Sequence, residues 1–95
     1  MKFEYDPQKS RLHLEKYGIA LAQAAPLWTV PAVEVEARTL DEPRFIMIGR
    51  LEGKLYSCIF TKRGNAIRLI SARRSREKEE KIYHEHIQQE KAKGE

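Results

Sequence analysis

Four segments rich in β-branched and aromatic residues follow one another between residues 31 and 74. They read AVEVEARTL, RFIMIGRL, GKLYSCIFT and NAIRLISAR, and residues of these types are typical of strands. The second and third segments meet at Glu52-Gly53, and the third and fourth meet at the turn KRGN. Because turns this short join antiparallel neighbours, the pattern predicts a four-stranded antiparallel meander.

Helical signals precede these segments. Asp6 is a candidate N-cap, Pro7 fits the first helical position, and Gly18 is the expected C-terminal stop. The helix between them carries a short apolar face of Leu12, Leu14 and Tyr17. A second helical segment of small residues, ALAQAAPLW, follows and is interrupted near Pro26.

Beyond the fourth strand the composition becomes helical. The segment SREKEEKIYHEHIQQEKAKG begins with Ser75 as a candidate N-cap and is rich in strong helix formers. Its apolar residues form only a narrow stripe, made of Ile82, Tyr83 and Ile87. The predicted fold is therefore α+β, with two N-terminal helices, a four-stranded antiparallel meander and a charged C-terminal helix. We expect the helices to cover one face of the sheet.

The length of 95 residues fits a single domain over residues 1–95. Cys58 is the only cysteine, so no internal disulfide can form, and its apolar neighbours predict a buried thiol in a reducing cytoplasm. The N-terminus has no apolar signal core, and the chain has no 18-residue apolar run. We therefore expect no signal peptide and no membrane span.

Positive charge is concentrated in one part of the chain. The sequence has 18 Lys and Arg residues and 14 Asp and Glu residues, and its formal net charge is +4. Residues 62–76 contain six of these cations and no acid: Lys62, Arg63, Arg68, Arg73, Arg74 and Arg76. A local basic patch favours an anionic partner more strongly than a diffuse excess of charge does.

The arginines of this patch gather where the fourth strand ends and the last helix begins. A helix N-terminus carries partial positive charge and guanidinium groups match phosphate oxygens, so phosphate is the natural ligand there. Alternation along the strand predicts that residues 69, 71 and 73 share one face and that Arg68 lies on the other. Two alternatives remain open: an acidic protein partner, and a solvated charged face with internal partners Glu77, Glu79 and Glu80.

Candidate proton-transfer groups occur as two pairs four residues apart on helices, Lys9 with His13 and Glu79 with Tyr83. A histidine beside a lysine fits acid–base chemistry near neutral pH, although an ordinary surface histidine fits as well. For Glu79 and Tyr83, proton handling or phosphate contact near Arg73 is one interpretation. The other is a helix-stabilising pair in which Tyr83 packs on the sheet.

The spacing of the remaining histidines argues against a metal site. His84 and His86 are two residues apart, so on a helix they point about 200° away from each other and cannot chelate one ion. The sequence has no nucleophile motif, glycine-rich phosphate loop or dinucleotide fingerprint, so an enzyme of this kind would need no cofactor. RNA cleavage fits such a site, because the 2′-hydroxyl of the substrate supplies the nucleophile.

Three segments, in order along the chain, resemble the signatures of a known family. FEYDPQKSRLHLEKYG matches the opening signature at Phe3, Tyr5, Asp6, Pro7, Lys9, Lys16 and Gly18. RFIMIGR matches a central strand signature at Arg44, Ile48 and Gly49. IRLISARRSREKEEKIYHE matches the closing one at Arg68, Ile70, Ser71, Ala72, Arg73, Glu79 and Tyr83. In these segments the chain resembles the BrnT family of bacterial type II toxins.

The resemblance implies a RelE-like fold and a metal-independent ribonuclease that inhibits translation in the cytoplasm. It also implies a BrnA-like antitoxin with a ribbon-helix-helix part, through which the complex would contact operator DNA. The chain departs from the family pattern at two positions. It has Tyr17 where the family usually has histidine, and His13 where the family often has asparagine.

From these observations we expect Arg73 to be the main cation that stabilises the pentacovalent phosphorus. Arg44, Arg68 and Lys9 are expected to contact RNA phosphates, together with Arg74 and Arg76. The candidate proton-transfer residues are His13, Glu79 and Tyr83, in that order. An alternative is a catalytically inactive module that binds nucleic acid or antitoxin in a repressor complex, and a third is a structural adaptor whose last helix docks a partner helix.

Overall fold

The computed structural model describes residues 1–37 and 42–93. The strands are β1 (Lys2–Glu4), β2 (Ala32–Ala37), β3 (Arg44–Leu51), β4 (Lys54–Arg63) and β5 (Ala66–Arg74). The α-helices are α1 (Pro7–Tyr17) and α2 (Glu77–Lys93), and a 3₁₀ helix spans Leu21–Thr29. The predicted continuation of β2 through Arg38, Thr39 and Leu40 lies outside the described residues.

The described strands form one sheet in the order β1-β5-β4-β3-β2. Strands β2 to β5 pair consecutively and antiparallel, which confirms the predicted meander. The prediction of four strands was wrong, because β1 adds a fifth strand, parallel to β5, with Lys2 opposite Ala66 and Glu4 opposite Arg68. A three-residue strand is too short to produce a periodic signal in the sequence.

The caps of α1 are as predicted. The side chain of Asp6 accepts a hydrogen bond from the backbone N–H of Gln8, Pro7 opens the helix, and Gly18 ends it with a left-handed φ of 76°. The expected apolar face of this helix does not enter the core, since Leu12 is 61% exposed and Leu14 46%. The reason is position: α1 contacts the 3₁₀ helix and β5, and its one buried residue is Ser10.

The second helical segment is a 3₁₀ helix with Pro26 inside it. Proline has no backbone N–H and its ring clashes with the preceding turn of an α-helix, so this segment adopts the tighter form. Leu21, Ala24 and Leu27 of this helix are buried on the sheet.

Helices lie on both faces of the sheet, so the expectation of one covered face was wrong. On the first face, the 3₁₀ helix closes a core that includes Leu27, Met47, Cys58 and Phe60. On the second face, α2 packs on a smaller core of Val33, Ile48, Leu55 and Tyr83, with Ile82 and Ile87 beside it. The narrow apolar stripe of α2 is sufficient to pack the helix on the sheet, because this second core is small.

The thiol of Cys58 is fully buried in the first core, as predicted. Burial raises the pKa of this thiol to about 12, so it remains protonated and unreactive at neutral pH. None of the helices within residues 1–37 and 42–93 has the length and apolar character needed to cross a membrane.

A β-bulge in β5 changes which side chains share a face. Leu69 pairs with Phe60 and Ser71 pairs with Ile59, so Ile70 is left as an extra residue. Leu69 and Ala72 consequently both enter the first core, although they are three residues apart. The predicted alternation was therefore wrong: Arg68, Ser71 and Arg73 lie together on the second face, because the bulge shifts the alternation by one residue.

The start of α2 differs from the prediction by one residue. The helix begins at Glu77, so Arg76 occupies the capping position. The hydroxyl of Ser75, the predicted cap, forms a hydrogen bond with the hydroxyl of Ser57 at 2.8 Å. The backbone N–H of Arg76 is satisfied instead by the carboxylate of Glu79, at 2.8 Å. A glutamate at this third helical position commonly bonds back to the residue that precedes the helix.

Candidate active site

The second half of β5 brings together side chains from three elements. Its outer edge is free for α1, because β1 pairs only with residues 66–68 of β5. From this edge His13 of α1 reaches Ser71, and from above the sheet Glu79 of α2 reaches Arg73. Since Ser71 and Arg73 are on the same face, the imidazole, the guanidinium and the carboxylate all lie on this part of the sheet.

Arg73 and Glu79 form a bidentate ion pair. Nη1 of Arg73 lies 2.7 Å from Oε1 of Glu79, and Nη2 lies 2.8 Å from Oε2. The side chains are 17% and 11% exposed, so water screens the pair only partly. Two parallel hydrogen bonds of this kind hold a guanidinium in one orientation more firmly than a single contact does.

The carboxylate of Glu79 also accepts hydrogen bonds from within the sheet. The hydroxyl of Ser57 donates to Oε1 at 3.0 Å, and the backbone N–H of Arg76 donates to the same oxygen at 2.8 Å. Burial alone would raise the pKa of Glu79, but the hydrogen bonds from Arg73, Arg76 and Ser57 outweigh it and hold the pKa at about 2. At neutral pH this group is a fixed carboxylate.

The same contacts raise the pKa of Arg73 above its ordinary value. The largest cause is its hydrogen bond to Glu79, burial acts in the opposite direction, and the charges of Glu79 and Tyr17 add to the rise. The guanidinium therefore remains positive at neutral pH.

His13 has a defined orientation at this site. Its Nδ1 lies 2.9 Å from the carbonyl oxygen of Lys9, and its Nε2 lies 3.1 Å from Oγ of Ser71. Because a carbonyl oxygen can only accept, Nδ1 must carry the hydrogen. In the neutral ring, Nε2 then accepts a hydrogen bond from the Ser71 hydroxyl, and it is the nitrogen that can take up a proton.

The other predicted phosphate contacts are distributed over the molecule. Arg68 lies on the same face of β5 as Arg73, roughly 15 Å away by the rise of the strand. Arg44 is exposed at the start of β3 and lies on that face too, since its neighbour Phe45 packs on the first core. Arg74 lies on the opposite face, where its guanidinium carbon is 5.7 Å from the centre of the Tyr56 ring.

Tyr83 lies in the second core and is 8% exposed. This buried position agrees with the interpretation in which Tyr83 packs on the sheet. The guanidinium carbon of Arg50 lies 6.0 Å from the centre of its ring.

Two groups at the site, Ser57 and Tyr17, were not among the predicted site residues. Ser57 is fully buried and connects Glu79 to β4, and its signal was a single serine within the largely apolar run LYSCIF. Tyr17 contacts His13, with ring centres 5.2 Å apart, and its signal was the helical spacing of four residues between them. Among the described residues, no three His, Cys, Asp or Glu side chains gather in a way that could hold a metal ion.

A family model described as the ribonuclease toxin BrnT of type II toxin–antitoxin systems matches residues 5–79. No curated protein matches the chain. The matched region contains α1, the whole meander and the start of α2, and it ends at Glu79, the partner of Arg73. Since this is most of the chain, the protein belongs to the BrnT family of ribonuclease toxins of type II toxin–antitoxin systems.

Proposed function

We propose that this chain is an active, metal-independent endoribonuclease, and that His13 and Arg73 carry the reaction. The observation that supports this most directly is the position of the two groups on one face of β5. The imidazole is held at Ser71, and the guanidinium follows two residues later on the same strand. A base and a cation set this close can act on one phosphodiester.

In the proposed reaction, the Ser71 hydroxyl gives up its hydrogen bond to Nε2 of the neutral His13 ring, and Nε2 accepts the proton of the ribose 2′-hydroxyl instead. The 2′-oxygen bonds to phosphorus, the bond from phosphorus to the 5′-oxygen breaks, and the departing oxygen receives a proton from water. The products are a 2′,3′-cyclic phosphate and a 5′-hydroxyl end. Holding the reacting groups in register and stabilising the charge supply most of the acceleration in such a reaction.

Arg73 stabilises the negative charge that grows on the phosphorane oxygens. Nη1 and Nη2 of Arg73 donate to Glu79, and Nη1 also donates to the carbonyl oxygen of Arg74 at 3.4 Å. The N–H of Nε and the second N–H of Nη2 are available for the phosphate. We assign Glu79 to the orientation of Arg73, since a carboxylate with a pKa of about 2 carries no proton to give at neutral pH. Tyr83 packs in the second core and helps to hold α2 on the sheet.

The remaining cations bind the RNA backbone in this proposal. Arg68 and Arg44 extend the positive face along the sheet, while Lys9 and Arg76 flank His13 and Arg73. Arg74 is left out of the path because its side chain lies on the other face. Cleavage of messenger RNA would inhibit translation in the cytoplasm. A BrnA-like ribbon-helix-helix antitoxin would neutralise the single toxin domain, and the complex would bind operator DNA through the antitoxin.

The test is cleavage of a labelled single-stranded RNA in the presence of EDTA. We expect the parent protein to produce cyclic phosphate ends and His13→Ala to lose at least 100-fold in rate, the scale of one general base. His84→Ala, which removes an exposed histidine from α2, is the matched control and should cleave at the parent rate. Equal cleavage by His13→Ala and the parent would overturn the assignment of His13.

A second candidate function is a binding module that holds nucleic acid or antitoxin without cutting a bond. It is favoured by the ion pair of Arg73, because Glu79 already neutralises the main cation of the site. In this case the RNA stays intact with the parent protein but shifts on a gel, and the shift weakens as salt rises.

A further inference from the structure

A shallow cleft lies beside the proposed catalytic groups, on the exposed side of α1. Its volume is about 500 Å³, and it is lined by Lys9, Leu12, His13, Glu15, Lys16 and Tyr17. Two of the six lining residues are lysines and one is the proposed base. Of these residues, the proposed reaction uses His13 as the base and Lys9 as a contact to the RNA backbone.

Tyr17 is placed in this cleft as an accessible aromatic surface. The residue is 40% exposed, although large aromatic side chains are usually packed. Its ring centre lies 5.2 Å from that of His13, with the two planes inclined by 44°. The ammonium of Lys16 lies 5.4 Å from the centre of the same ring. The ring is therefore held by neighbours on two sides while part of it remains open to solvent.

The combination of an open aromatic ring with flanking cations is typical of surfaces that bind single-stranded nucleic acid. Unpaired bases stack on tyrosine, and lysines beside the ring contact the phosphates on either side of the base. A base within a duplex offers no free face, so such a subsite selects unpaired RNA. Stacking tolerates all bases, so the subsite orients the strand without requiring a sequence.

We propose that Tyr17 is the stacking platform for the unpaired base next to the cleaved phosphate, and that Lys9 and Lys16 hold the phosphates flanking that base. This inference deepens the proposed function and rests on it for the position of the cleaved bond. It gives Tyr17 a role in substrate binding rather than in proton transfer. The strand would leave the α1 cleft at His13, which is held at Ser71, with Arg73 further along β5 on one side and Arg68 on the other.

The experiment measures binding of a fluorescent 2′-O-methyl oligonucleotide, which keeps the bases and phosphates but blocks the nucleophile. We expect Tyr17→Ala to weaken binding by roughly 5- to 100-fold, the range for the loss of one stacked base. Tyr17→Phe should bind like the parent, because the phenyl ring stacks as well. Tyr5→Ala is the matched control, since Tyr5 is similarly exposed at 36% but lies outside the cleft.

Two further measurements separate stacking from a loss of structure. Tyr17→Leu retains an apolar contact with His13 but has no ring, so it should bind as weakly as Tyr17→Ala while melting at the parent temperature. The second measurement uses oligonucleotides that each lack one base. We expect that removing one particular base weakens binding by the parent as much as the Tyr17→Ala substitution does. The Tyr17→Ala protein should lose little further affinity when the same base is removed, because the substitution and the missing base abolish the same interaction.

Parent-like affinity of folded Tyr17→Ala and Tyr17→Leu would overturn the subsite, as would additive losses at every abasic position. These outcomes are independent of cleavage. A protein that fails to cut RNA but shows the coupled losses retains the subsite and loses only the proposed reaction. A protein that cuts RNA with unchanged binding by the Tyr17 variants retains the reaction and loses the subsite.

Discussion

The carboxylate of Glu79 accepts four hydrogen bonds: two from Arg73, one from Ser57 and one from the backbone of Arg76. Guanidinium, hydroxyl and helix N-terminal N–H groups are also the donors that bind phosphate in proteins. Glu79 therefore occupies an anion site that the chain itself provides. This explains how an arginine-rich strand end can be stable without a ligand.

The stability of the protein should depend on pH through this residue. The pKa of Glu79 is lowered from 4.5 to about 2, so its contribution is complete above 4.5 and is lost as pH falls towards 2. We expect Glu79→Gln to destabilise the fold by about 1–2 kcal/mol at neutral pH, after allowance for partial screening by solvent. The stability difference from the parent should shrink across this acidic range in urea unfolding measurements.

Glu15→Gln is the control for this prediction, because Glu15 is an exposed carboxylate on α1. Its stability profile should follow that of the parent at every pH. A Glu79→Gln profile parallel to the parent profile through the acidic range would show that the ion pair does not contribute to acid unfolding.

Between elements, the approach of the 3₁₀ helix to β3 depends on Gly49. A β-carbon at this position would lie 2.9 Å from Cδ2 of Leu27 and 3.1 Å from the β-carbon of Ala32. Leu27 is only 1% exposed, so its side chain has little room to move away. The glycine thus sets how closely the helix covers the first core.

Gly49→Ala should consequently destabilise the protein by about 1–3 kcal/mol, the usual cost of an added methyl group in a close-packed core. Thermal unfolding with circular dichroism would measure the change. Leu27→Val shortens the side chain that the new methyl group would meet, so the double variant should lose less than the sum of the two single losses. Strict additivity would mean that the contact with Leu27 is not the cause.

At the scale of the whole molecule, the two faces of the sheet have different roles. The first face buries the larger core under the 3₁₀ helix, and the second is shared between α2 and the candidate site. Helix α2 lies over β2 and β3 and leaves the second face of β5 to the polar groups. An RNA strand on this face would meet Arg68 but not Arg74.

The salt dependence of RNA binding tests this arrangement. Each phosphate contact contributes about 0.7 to the slope of log affinity against log salt for a single strand. Arg68→Ala should therefore reduce the slope by about 0.7, measured with the 2′-O-methyl oligonucleotide. Arg74→Ala, a change of the same type on the opposite face, should leave the slope unchanged. Equal reductions in the two variants would contradict a path confined to the second face.

Much of the fold could be predicted from local signals. Neighbouring residues alone determine the caps of α1 at Asp6 and Gly18 and the glycine turns of the meander, so periodicity and turn chemistry locate them. The parallel β1 was missed because its partners, residues 66–68, are distant in sequence. The site was predicted as a set of residue types, but the link between His13 and Ser71 spans 58 positions of the sequence and has no local signal.

The sequence by itself determined the order of the elements, the basic segment 62–76 and the resemblance to the BrnT family, because these depend on residue identity and short-range spacing. The tertiary structure alone decided which side chains meet. The bulge at Ile70 brought Arg68, Ser71 and Arg73 to one face. The docking of α1 at β5 and of α2 over β2 and β3 brought His13 and Glu79 to them. Register and docking depend on packing across the whole chain, and so the chemistry of the site emerges only when the core is formed.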